Sequence, residues 1–151
     1  MAGMAIALCM AGLFTMNSFG FKTVRAGKET VAASLVVQER IDQLRKGTWI
    51  NVTDPAYVQT LLGAAPGAGD PLPGRTERIT INAYPAVSPT PTPIQVTRAA
   101  NGTVTINSSN NTLRQQPMVR ADVTTTWTAS RTGRTRTRTI ATVIAQGGIV
   151  K

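Results

Sequence analysis

The chain has no histidine, a single cysteine and few aromatic rings. The missing imidazole removes the commonest general base and the commonest metal ligand. The one thiol, Cys9, can make no disulfide within the chain, so no cystine framework supports the fold. Aromatic residues are 5% of the sequence, so little of a core can come from large rings. Acids are scarce as well, at 7 against 16 lysines and arginines, for a formal net charge of +9. Glu29, Glu39, Asp42, Asp54, Asp70, Glu77 and Asp122 are scattered, with no pair placed as two carboxylates across one bond. No glycine loop ending in Lys-Ser/Thr is present to cradle a phosphate. Most catalytic constellations are thereby excluded, and neither an enzyme, a cofactor nor a small-molecule substrate is expected.

What the sequence does have is a long apolar opening. "MAGMAIALCMAGLFTMNSFGF" carries no charge before Lys22. Its length matches the roughly 20 apolar residues that cross a bilayer as a helix. A cleaved secretory signal would need a positive n-region ahead of the run. A buried core helix would tolerate more polar interruptions than Thr15, Asn17 and Ser18. A retained transmembrane helix over 1–21 is the reading favoured. Lys22, Arg25 and Lys28 follow it closely, and the positive-inside rule then sets the orientation of what comes after.

The helix is expected to continue over 22–47 as an amphipathic segment. Val24, Val31, Leu35, Ile41 and Leu44 fall near one stripe, with Val37 close beside it, and Val31, Leu35, Ile41 and Leu44 are assigned to packing on a sheet. Gly47 follows a basic last turn and is the expected stop. One continuous helix of about 45 residues would measure roughly 65 Å.

The remainder, 48–151, reads as a globular β domain. "DPAYVQTLL" predicts a short helix with Asp54 as N-cap and Pro55 at its first position. "GAAPGAGDPLPG" is a glycine and proline loop. "RTERITINAY" alternates at Ile79 and Ile81. "PIQVTRAANGTVTINSS" predicts a hairpin turning at Asn101-Gly102. "MVRADVTTTWTAS" places Val119, Ala121, Val123, Thr125 and Trp127 on one face, and "RTGRTRTRTIATVIAQGG" pairs with it through a turn at Gly133. The fold class is α+β: a long N-terminal helix covering a small antiparallel sheet of four to five strands.

Arg131, Arg134, Arg136 and Arg138 lie within eight residues. They form a candidate anion-binding stripe, suited to a phosphate backbone or to anionic lipid heads. The competing reading is a solvated edge strand whose charges block unwanted pairing.

Three stretches together resemble type IV pilins, in the branch of minor pilins and type II secretion pseudopilins. "MAGMAIALCMAGLF" is similar to the interior of a prepilin N-terminal segment. "AASLVVQERIDQLRKGTW" is similar to its amphipathic continuation. "VRADVTTTWTASRTGRTRTRTIATVI" is similar to that branch's closing hairpin. The family's basic leader and its Phe-Ser/Thr-Leu-Ile/Val-Glu motif would align just ahead of Met1, so peptide cleavage, N-methylation and the acidic assembly residue fall on no residue here. The resemblance implies a non-enzymatic filament subunit, held as a single-pass protein in a bacterial inner membrane before assembly, with its β domain in the periplasm or on an extracellular filament. Its partners would be membrane lipid and other pilin-like subunits, and Met4, Ile6, Leu8, Leu13 and Phe14 would be assembly residues. The alternative expectation is a single-pass membrane protein whose basic domain binds nucleic acid weakly through Arg134, Arg136 and Arg138.

Overall fold

A computed structural model describes residues 2–63, 72–107 and 112–147, with the side chains of 2–9 and 11–15 outside that description. Helix α1 runs without a break over Ala2–Lys46, 45 residues, or roughly 68 Å at 1.5 Å per residue. Gly20 and Gly27 do not interrupt it. It stops at Gly47, where an added Cβ would sit 3.1 Å from the Tyr57 hydroxyl and 3.3 Å from a Val52 methyl. The glycine lets the chain turn tightly into α2 (Trp49–Val52) and α3 (Pro55–Gly63). The expected cap on α3 is present: the Ala56 amide donates to Asp54 Oδ1 at 2.9 Å.

Five antiparallel strands follow: β1 (Thr76–Ala83), β2 (Ile94–Arg98), β3 (Val104–Ile106), β4 (Met118–Thr128) and β5 (Thr135–Ala145). Their spatial order is β3-β2-β1-β4-β5. The β2–β3 hairpin turns at Asn101-Gly102, with Gly102 at φ 86°. The β4–β5 hairpin turns through Gly133 at φ 64°, whose amide donates to the Ala129 carbonyl at 2.9 Å. A side chain at that φ is strained, so Gly133→Ala should cost about 1 kcal/mol in a denaturant melt.

Two-residue alternation gives the sheet one apolar face. Ile79, Ile81, Ile94, Val96, Val119, Ala121 and Val123 are buried on it. Helix α1 covers β4 and β5, and α3 covers β2 and β3. Val37, Ile41 and Leu44 of α1 close the main core, together with Val52, Val58 and Leu62. A smaller cluster joins Ala33 of α1 to Leu72 and Trp127. The opposite face is open and rich in threonine. There Thr124 pairs with Thr139 at 2.9 Å and Thr126 with Thr137 at 3.2 Å, hydroxyl to hydroxyl. Such cross-strand pairs fix register along the long hairpin.

Two expectations are corrected. Ile41 and Leu44 pack as assigned, but Val31 and Leu35 do not: they are 60% and 65% exposed. The front part of the stripe chosen by apolarity, Val24, Val31 and Leu35, runs along the outer side of the helix, and only its end, Ile41 and Leu44, turns inward. The inner side uses small Ala33 and Val37 and two buried charged residues, Glu29 and Arg40. The second correction concerns the membrane. Among the described residues no helix is long and apolar enough to cross one, which overturns the transmembrane front half and the single-pass inner-membrane placement. Met4, Ile6, Leu8, Leu13 and Phe14 lie outside the residues whose side chains are described.

Candidate interaction surfaces of the long helix

The inner side of α1 is anchored by charge as well as by packing. Glu77 takes the inward position of β1 where the alternation calls for another apolar residue, and only 1% of its side chain is exposed. Arg40 of α1 donates from Nε to Glu77 Oε2 at 2.9 Å and from Nη1 to the Leu61 carbonyl at 2.8 Å. Arg75 and Arg98 approach Glu77 Oε1 at 3.1 and 3.7 Å. The Oε1 contacts are ion pairs at close range without a well-aligned hydrogen bond. One buried carboxylate therefore holds three guanidinium groups, from α1, from the approach to β1 and from β2. Further along α1, Arg45 donates from Nε and Nη2 to the Thr142 hydroxyl of β5 at 3.1 and 2.9 Å. These contacts set the rotation of α1 about its own axis.

That rotation decides what α1 offers to a partner. Phe21, Val24, Val31 and Leu35 are all more than half exposed and face away from the sheet. Their spacing, with Lys28 between them, is +3, +4, +3, +4, the seam spacing of helices that pack on one another. The same outer face carries Lys28 on one side of Val31 and Leu35 and Glu39 and Asp42 on the other. A shallow groove along Leu35, Gln38, Glu39 and Asp42 continues the seam toward Lys46.

A second feature lies where the β4–β5 turn reaches α1. Phe19, Lys22, Arg25, Glu29, Ser130 and Arg131 line a cleft of about 300 Å³. The Arg131 guanidinium stands 4.8 Å from the centre of the Phe19 ring. Glu29 is buried, and its Oε1 accepts the Ser130 amide at 3.3 Å, which ties the turn to the helix.

The candidate stripe is divided by the structure. Arg136 lies opposite Trp127 and Arg138 opposite Thr125, so both project on the helix-covered side of the sheet, at its exposed edge. Arg131 leaves the stripe for the cleft with Lys22 and Arg25. Arg134 stays exposed in the turn between them. The Glu77 cluster and the role of Glu29 escaped sequence reasoning, although a signal existed. Glu77, Ile79 and Ile81 alternate, as do Ile94, Val96 and Arg98, which puts an acid and a base at paired inward positions; the register pairs Glu77 with Arg98. Among the described residues no group of His, Cys, Asp or Glu could hold a metal ion.

The class defined at this point is architectural: a long helix laid across a five-stranded antiparallel sheet. No family model, curated protein or solved structure matches the chain.

Proposed function

We propose that the chain is a non-enzymatic structural subunit, pilin-like or pseudopilin-like in plan, that assembles with other copies through α1. The observation that carries this reading is the exposed apolar seam of Phe21, Val24, Val31 and Leu35, opposite the face that α1 packs on its own sheet. A row of large apolar side chains at seam spacing is costly to leave in water, at about 25 cal/mol for each Å². Charge favours a second copy of the same chain as the cover. Lys28 precedes Glu39 and Asp42 by 11 and 14 residues on the same face. A copy displaced along the axis by roughly 16–21 Å sets these opposite charges together and brings Val24 or Phe21 of one copy level with Leu35 of the other. Repeated displacement in one direction is a head-to-tail contact, and such contacts generate open filaments.

The test is sedimentation velocity over a rising concentration series, with negative-stain imaging of the largest species. The wild-type chain should form elongated assemblies. The Val31→Glu/Leu35→Glu double variant should remain monomeric with an unchanged melting temperature, because both side chains are exposed in the monomer. A wild-type chain that stays monomeric at every concentration would refute the reading.

A further inference from the structure

We infer that the cleft between α1 and the β4–β5 turn is a phosphate seat, and that the ligand it fits is a single strand of nucleic acid. Three cations converge there. Lys22 and Arg25 come from α1, and Arg131 comes from the turn about one hundred residues later in the chain. All three are exposed, and none has an acidic partner among the described residues. Among the described residues the only carboxylate in the lining, Glu29, is buried and engaged by the Ser130 amide. Its place is structural, since it fixes the turn against the helix and so holds Arg131 beside Lys22 and Arg25. The cleft keeps a surplus of two positive charges and opens to solvent.

Two further observations select a strand over a lone anion. Phe19 is 60% exposed, with Arg131 over its ring. An aromatic ring beside guanidinium groups is the stacking platform that single-strand binders place next to a basic groove. Beyond the mouth, Arg134, Arg136 and Arg138 continue the positive surface down the edge of the sheet. Alternate residues of a strand stand roughly 6.6 Å apart, comparable to the phosphate repeat of an extended single strand. A small phosphate ion would use the cleft alone, whereas a strand would use the cleft and the edge together. Recognition would be of backbone and base faces, with little preference for sequence.

The experiment is fluorescence anisotropy of a labelled oligothymidylate with the full chain, across a salt series. Wild type should bind, more weakly as salt rises. The Lys22→Ala/Arg25→Ala/Arg131→Ala variant should lose at least tenfold in affinity, and its salt slope should fall by about 2, at roughly 0.7 for each phosphate contact on a single strand. Phe19→Leu should lose several-fold with the slope unchanged. Arg78→Ala removes one cation on the open threonine face and should bind as wild type does. Circular dichroism melts check that each variant folds, and Arg131→Gln alone serves if the triple variant does not. The proposal is overturned by no binding at low salt, by equal loss in Arg78→Ala, by unchanged binding in the triple variant, or by an unchanged Phe19→Leu variant. It is also overturned if millimolar inorganic phosphate displaces the strand at constant ionic strength, because the site would then belong to the free ion.

Discussion

Glu77→Gln should be among the most damaging single substitutions in this chain. The carboxylate is buried, and the guanidinium groups of Arg40, Arg75 and Arg98 gather on it. Glutamine preserves the shape and removes the charge, leaving the buried Arg40 and Arg98 without this counter-ion. Breaking a buried ion pair by removing one partner costs about 3–5 kcal/mol. For a domain of this size that corresponds to a fall of roughly 10 °C in melting temperature. The loss should come from unpaired charge rather than from lost packing, so an apolar replacement of the partners should recover much of it. In the Arg40→Met/Glu77→Leu/Arg98→Met variant the melting temperature should rise well above that of Glu77→Gln. A Glu77→Gln chain that melts with wild type would mean the carboxylate is not what holds the arginines.

Trp127→Ala is the second large effect, and it acts on the helix. Trp127 is buried on β4 and packs with Ala33 of α1 and with Leu72. Truncating a buried tryptophan costs about 3–5 kcal/mol through lost transfer energy and the cavity left behind. Ala33 is too small to fill the space. The damage should therefore concentrate where α1 meets the β4–β5 hairpin. Hydrogen exchange should accelerate in α1 around Glu29–Val37 more than in β1 and β2, which rest on the separate main core. Uniform acceleration across the sheet would show that the two clusters act as one.

The sheet was open to reading because its signals are local. Asn101-Gly102, Gly133 and the alternation through Val119–Trp127 each specify a turn or a face without help from distant residues. The continuity of α1 was also legible, since no proline interrupts it. The rotation of α1 was not. Between Glu29 and Arg40 its inner face is built from Ala33, Val37, Glu29 and Arg40, and its outer face carries Val31 and Leu35. Over that stretch hydrophobicity alone ranks the faces in the wrong order, although it ranks Ile41 and Leu44 correctly. The order is reversed by contacts across long sequence separations: Arg40 with Glu77, Arg45 with Thr142, and Glu29 with the Ser130 amide. The same rotation sends Val31 and Leu35 outward and brings Lys22 and Arg25 to the turn that carries Arg131. The membrane expectation came from the apolar opening of the sequence, and the described part of the helix does not sustain it.

The central claim is that the outer face of α1 docks against α1 of another copy. Photo-crosslinking from that face tests it most directly. A photoreactive phenylalanine analogue at Leu35, with the full chain at a concentration where it associates, should give a covalent dimer. Mass spectrometry of that dimer should place the crosslink on the partner copy's α1, near Phe21 or Val24. A chain that associates but crosslinks from Leu35 only to itself, or only to a sheet of the partner, would contradict the account.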